Sequence, residues 1–192
     1  DGLGARALEL AILTACRSGE VRGATWAEFD EKAGVWTIPA DRMKADKEHR
    51  VPLSPAALEL LKALPRIAGT DLVFPSTKNT QLSDMTLSAA IRRMDEASTK
   101  DDCNGWKDST GKVITAHGFR STFRDWAGET TTYPREVIEH ALAHQLKDKA
   151  EAAYARGTLF EKRRQLMVDW AKYCGNPAMV AEVKPINSKD AA

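Results

Sequence analysis

From Leu3 to Cys16 the chain is almost entirely Ala, Leu, Ile and Thr, with Arg6 and Glu9 its two charged residues. Strong helix formers with so little polarity predict a buried helix, and a buried helix must be covered by other elements. Arg17-Ser18-Gly19-Glu20 follows at once and reads as a helix end and a new start, with Ser18 in the N-cap place.

Val35 to Pro39 and His49 to Leu53 are patterned as short strands. They flank the polar stretch Ala40 to Glu48, so a hairpin with a long basic tip is expected. Ser54-Pro55 supplies an N-cap and a first-turn proline, opening a helix to about Leu64. A further helix follows Ser83, with Met85, Ile91 and Met94 apolar. Lys100 to Lys112 is polar and Gly-containing, as a surface loop would be. Four more helices are expected at about Thr115–Gly128, Pro134–His144, Lys149–Arg156 and Leu159–Cys174. The fold class is therefore mainly α with a small antiparallel β-sheet. Residues 1–175 form one domain, and 176–192 a loosely ordered tail.

With 192 residues the chain can bury a real core. No apolar run approaches the ~20 residues that cross a bilayer, and no signal-peptide pattern opens the chain. The three cysteines, Cys16, Cys103 and Cys174, are odd in number and far apart, which argues against a disulfide framework and a thiolate zinc site and suits a reducing cytoplasm. The chain begins at Asp1 without a methionine, so we expect a longer natural protein. A net charge of +1 announces no nucleic-acid partner by itself. Basic residues nonetheless cluster, at Arg42, Lys44, Lys47, His49 and Arg50, at Arg92 and Arg93, at His117, Arg120 and Arg124, and at Arg156, Lys162, Arg163 and Arg164.

Three stretches carry chemistry. In Thr115-Ala-His-Gly-Phe-Arg-Ser-Thr-Phe-Arg-Asp-Trp126, helical geometry of about 100° per residue puts His117, Arg120 and Arg124 within roughly 60° of one another. Phe119, Phe123 and Trp126 lie opposite, as a core stripe. Such a basic face is either solvated or a rigid holder of one anionic group, since Arg donates in pairs to phosphate oxygens and His exchanges protons near neutral pH. Arg17 sits at a helix-to-helix corner, from which a side chain can reach a cleft or simply lie on the surface. Glu20 can pair with a nearby base or cap the new helix. In Val137-Ile-Glu-His-Ala-Leu-Ala-His144, the pair His140 and His144 lacks the Glu that a zincin needs directly after its first histidine, so a metal site is not expected. Tyr154, ten residues on in Ala152-Ala-Tyr154-Ala-Arg156, would pass for packing if met alone.

In combination these pieces resemble the tyrosine recombinases, in the branch of phage and genomic-island integrases. The resemblance is carried by Arg17 in R-S-G-E, Arg42-Met-Lys44, Val51-Pro-Leu-Ser54, His117-x-x-Arg120, Leu142-Ala-His144 and Tyr154, and runs from about Thr14 to Lys172. It implies the recombinase catalytic-domain fold, with Tyr154 as the nucleophile that forms a 3′-phosphotyrosyl link to DNA. It further implies Arg17 and Arg120 as the phosphate clamp, Lys44 as general acid, His117 as acceptor or orienter of the tyrosine proton, and His144 as a hydrogen-bond donor to the phosphate. Lys47, three residues along the same tip, competes with Lys44 for the acid role. Many members have Gly at the place of Ala143, and a residue as small as Ala is expected to keep function. The resemblance implies no cofactor and no metal. It also implies double-stranded DNA attachment sites as partner and four protomers on DNA. Phe160, Met167, Trp170 and Cys174 make an apolar stripe on the last helix that packs more readily onto its own domain than onto a second copy, so a free monomer is expected. The rival readings are a type IB topoisomerase, which shares the phosphotyrosine chemistry, and a DNA-binding module without chemistry.

Overall fold

The computed structural model describes residues 2–100, 105–108, 110–144 and 159–176. Its helices are α1 (Leu3–Thr14), α2 (Ser18–Arg22), α3 (Pro55–Lys62), α4 (Thr86–Lys100), α5 (Gly118–Thr130), α6 (Arg135–Ala141) and α7 (Phe160–Gly175). Strands β1 (Phe29–Asp30), β2 (Val35–Ile38) and β3 (His49–Pro52) form an antiparallel sheet in the order β1-β2-β3. The expected mainly helical fold with a small antiparallel sheet is what the chain adopts. The expected helix at Lys149–Arg156 and the tail beyond 176 lie outside the described residues.

Helix α1 packs against α2, α3, α4 and α7, which explains its composition: Ala7, Leu8, Leu10, Ala11, Leu13 and Thr14 are all buried. Each fully buried Leu contributes about 1.5–3 kcal/mol relative to exposure. The core falls into two apolar clusters. The larger joins α1, the sheet, α3 and α4 around Trp36, Ile38, Leu61, Phe74 and Ile91. The smaller joins α5, α6 and α7 around Phe123, Val137, Leu142, Leu166 and Trp170. Ile12 touches both, so α1 is the wall between them.

Local signals explain most of the boundaries. Ser54 Oγ accepts the Ala57 amide at 3.3 Å, capping α3 with Pro55 at its first position. The β1–β2 turn closes through Gly34 at φ +64°, a conformation an L side chain would strain. Trp36 is wholly buried, and its indole N–H is satisfied by Glu28 Oε2 at 2.8 Å. Helix α7 is tied back across the molecule by Trp170 Nε1, which donates to the Ile12 carbonyl at 2.7 Å, and by Arg163 Nη1, which donates to the Arg50 carbonyl at 2.9 Å.

Several expectations need correction. Arg17, and not Ser18, is the N-cap residue of α2, and it is capped by Glu20, whose carboxylate accepts the Arg17 amide at 2.7 Å. Helix α4 runs to Lys100, where the polar segment was expected to begin. That segment is anchored as well: Trp106 donates its amide to Asp95 at 2.7 Å and its indole to Ser98 at 3.1 Å, and Lys107 bridges Val113. Helix α6 stops at Ala141 and does not reach His144. Strand β1, two residues long, was too short to leave a pattern.

Candidate active site

Two helix ends converge on one side chain, and Arg120 is fixed between them. Helix α1 ends on Ala15 in the left-handed conformation (φ 51°), and α6 ends on Leu142. The last carbonyls of a helix lack intrahelical partners and carry the negative end of its dipole. Arg120 reaches in from α5 and satisfies both ends: Nη1 donates to the Ala15 carbonyl, and Nη2 to the Leu142 carbonyl at 2.7 Å. The side chain is buried, which lowers its pKa from the ordinary arginine value. It nevertheless keeps its charge at neutral pH, as arginines do. Of the two readings of this basic face, the solvated one fails for Arg120.

His144 is placed by the chain reversal that ends α6. The His144 amide bonds the Glu139 carbonyl at 3.0 Å and the Ala143 amide bonds the His140 carbonyl at 3.2 Å, with Ala143 left-handed at φ 49°. This is the Schellman arrangement, in which the left-handed position is usually Gly. It swings the His144 ring back onto its own helix, where Nδ1 lies 2.6 Å from Glu139 Oε2. Nε2 then faces Arg120 Nη2 at 3.4 Å. Glu139 Oε1 accepts Arg124 Nε at 3.0 Å. Burial works against the Glu139 charge, but the bonds from His144 and Arg124 outweigh it and hold the carboxyl below its usual range.

Arg17 is positioned by the same corner that starts α2. Glu20, nearly fully buried, takes the Arg17 amide with one oxygen and Arg17 Nη1 with the other, both at 2.7 Å. Glu20 therefore both caps the helix and pairs a base. The guanidinium stays partly open to solvent. His117 is the N-cap residue of α5, ahead of its first turn, and is exposed.

A cleft of about 310 Å³ opens where these parts meet, lined by the Cys16–Gly19 corner, Ser88 of α4, Thr115 to His117, and Arg120. The fold thus brings Arg17, His117 and Arg120 onto one cleft, with His144 against Arg120. Burial pushes the Cys16 thiol up to about 12, so this sulfur stays protonated and is no competing nucleophile. Lys44 is exposed on the β2–β3 loop and does not line the cleft. Tyr154 lies outside the described residues.

The basic clusters of the sequence also sort differently in space. Arg42 is ion-paired with Glu28, and His49 and Arg163 are buried, which leaves Lys44, Lys47 and Arg50 as the exposed bases of the hairpin region. Sequence reasoning gave Glu139 and Arg42 no role in the site. Their signal is a bond across the fold, which periodicity does not reveal.

The model of the phage integrase family matches residues 4–158 of this chain. The chain belongs to the phage integrase family. Among similar proteins, prophage integrase IntA of Escherichia coli (strain K12) is 36% identical over 163 residues, covering 83% of this chain and 36% of the relative. The integrase of Enterobacteria phage P4 is 34% identical over 179 residues, covering 85% of this chain and 38% of the phage protein. The chain thus spans well under half the length of these two integrases. Among solved structures, the lambda integrase catalytic core aligns with a TM-score of 0.55 at 24% identity, covering 74% of this chain and 84% of that one. A lambda integrase dimer bound to a core site aligns with the same TM-score of 0.55, covering 75% of this chain and 50% of that chain. These likenesses establish the integrase catalytic-core fold.

Proposed function

We propose that residues 1–175 are the catalytic domain of a site-specific DNA recombinase that cuts and rejoins strands through Tyr154. The observation that carries this reading is the cleft in which Arg17 and Arg120 are held by partners other than any ligand. Two guanidinium groups fixed beforehand, one by Glu20 and one by helix-end carbonyls, bind an anion without reorganising. Donors of that kind stabilise charge that develops in a transition state better than mobile ones. The exposed His117 ring on the same cleft and the His144 ring against Arg120 complete a site suited to a phosphodiester.

The chemistry is a transesterification. The Tyr154 oxygen attacks phosphorus and gives up its proton, which His117 accepts or orients. The bond from phosphorus to the 5′-oxygen breaks, and that oxygen takes a proton from Lys44. Arg17, Arg120 and His144 hold the non-bridging oxygens. The 3′-phosphotyrosyl link keeps the phosphodiester energy, so rejoining needs no other energy source. The other two tyrosines fit the nucleophile role poorly. Tyr133 donates its hydroxyl to Asp169 at 2.7 Å, and burial with that bond pushes its pKa up to about 12. Tyr173 stacks on Trp170 at 5.6 Å.

The proposal includes double-stranded attachment-site DNA as partner, with a monomer when free and four protomers on DNA. A solved lambda integrase tetramer sits on a Holliday junction, and Leu166, Met167 and Trp170 of α7 are buried in their own domain here.

The test is a nicked suicide substrate carrying the attachment core, followed by denaturing electrophoresis. Wild type gives a denaturant-resistant protein–DNA adduct. Tyr154→Phe gives none while binding DNA as before, since only a hydroxyl is lost. An adduct that survives Tyr154→Phe and disappears with Tyr133→Phe or Tyr173→Phe overturns the assignment.

A further inference from the structure

Arg42 lies two residues before Lys44 and is not a free surface base. Its Nη1 donates to Glu28 Oε1 and its Nη2 to the main-chain carbonyl of Glu20, so one guanidinium bridges a carboxylate and a helix backbone. The guanidinium packs over Gly23, where even a Cβ would stand 3.1 Å from Nη2. The next residue, Met43, is buried in the larger apolar cluster. The chain also turns tightly here, with the Arg42 amide on the Pro39 carbonyl at 3.1 Å and the Met43 amide on the Ala40 carbonyl at 3.0 Å. Lys44 follows directly, exposed. Consecutive Cα atoms are about 3.8 Å apart, so pinning residues 42 and 43 sets where the Lys44 side chain starts.

Glu20 is common to both arms of the site. Its carboxylate holds Arg17, and its carbonyl holds Arg42. We infer that Arg42 is a positioning residue for Lys44, tying the root of the hairpin to the same turn of α2 that fixes Arg17. The proton donor and the phosphate clamp then share one frame, although they come from segments far apart along the chain. Lysine could not replace this arginine fully, because an ammonium group lacks the planar fork that spans two acceptors at once. The inference rests on the proposed recombinase chemistry, in which Lys44 delivers its proton to the 5′-oxygen as the bond to phosphorus breaks.

Removing the arginine would break a largely buried ion pair and destabilise the fold, yet would leave Glu28 hydrogen-bonded. Glu28 would keep Trp36 Nε1 at 2.8 Å and Thr25 Oγ1 at 3.2 Å as donors, so no buried carboxylate is stranded.

The experiment compares single-turnover cleavage of two suicide substrates, one with the natural 5′-oxygen and one with sulfur at that bridging position. Sulfur leaves without help from an acid, so a defect in proton delivery vanishes on it. Arg42→Ala is expected to slow the oxygen substrate about tenfold, or ~1.4 kcal/mol of barrier, and the sulfur substrate less than about twofold. Arg42→Lys should fall between Arg42→Ala and wild type on oxygen. Equal slowing on both substrates, or no slowing on either, overturns the inference. Should Arg42→Ala lose its cooperative melt, the oxygen-to-sulfur ratio of Arg42→Lys decides alone by the same criterion. Lys44→Ala separates the two levels. If sulfur fails to rescue Lys44→Ala, the acid assignment falls and takes this inference with it. If sulfur rescues Lys44→Ala but not the Arg42 variants, only the role of Arg42 is lost.

Discussion

Glu139 Oε2 lies 2.6 Å from His144 Nδ1, and the main-chain carbonyl of Glu139 takes the His144 amide at 3.0 Å. One residue therefore fixes both the backbone and the ring of the other. With Nδ1 committed to the carboxylate, Nε2 is aimed at Arg120. Glu139→Ala frees the ring and should cut the cleavage rate by roughly tenfold or more, part of the ~10²–10³-fold that goes with the loss of a whole transition-state donor. Glu139→Gln keeps an oxygen that can accept from Nδ1 and should lose much less. Single-turnover rates at saturating DNA test this. Equal rates for Ala and Gln would mean that orientation of His144 does not matter.

Ala143 sits at φ 49°, the left-handed place of that same turn. A non-glycine residue there costs on the order of 1–2 kcal/mol, while Gly gives back part of the gain through its looser unfolded state. Ala143→Gly should therefore stabilise the fold by about 0.5–1 kcal/mol, raising the melting temperature by roughly 1–3 °C for a chain of this size. Calorimetry checks it, and a lower melting temperature would contradict the strain argument.

What the sequence made legible was local. Ser54-Pro55 named its own helix start, and the two apolar runs around the basic tip paired as β2 with β3. The integrase motifs single out Arg17, His117 and Arg120, and the fold sets these three on one cleft. What was not legible was long-range. Helical periodicity sets Arg120 beside Arg124, but the carbonyls that bury it come from residues 105 and 22 positions away. The helical pattern runs on to His144, because nothing in Leu-Ala-His marks a left-handed residue when that residue is Ala. Arg42 and His49 look like neighbours in a basic run, yet one is locked into an ion pair and the other turns inward.

His49 gives the fold a pH dependence of defined sign. Burial, with the charge of Arg163 nearby, lowers its pKa to about 4 from 6.5, although Glu20 works in the other direction. The unfolded chain therefore binds this proton between about pH 6.5 and 4 while the native one does not. Stability from this group is complete above pH 6.5 and is lost as pH falls toward 4. From pH 7 to pH 5 the loss should be up to about 2 kcal/mol. Urea midpoints at the two pH values, for wild type and His49→Gln, isolate the effect. The glutamine variant should lose much less of its stability over that range, and an unchanged slope would assign the pH dependence elsewhere.

Trp170 joins α7 to the turn of α1 that serves Arg120. Its ring is buried, meets Phe123 edge-on at 5.3 Å, and donates its indole N–H to the Ile12 carbonyl three residues before Ala15. Trp170→Ala removes a large ring from the smaller core and takes one of the two donors of that carbonyl, which keeps the Ala15 amide at 3.2 Å, and should cost about 3–5 kcal/mol. Against a total of roughly 5–15 kcal/mol for a native protein, that is a large share of all the stability there is. Tyr173, one turn on, stacks on the same ring but is 41% exposed. Tyr173→Ala should lose only about 1 kcal/mol, the size of an aromatic pair. The two substitutions thus separate the role of α7 as a brace for the site from its outer aromatic face. Denaturant unfolding of both variants measures the difference. Comparable losses would mean that the brace does not run through Trp170 and Ile12.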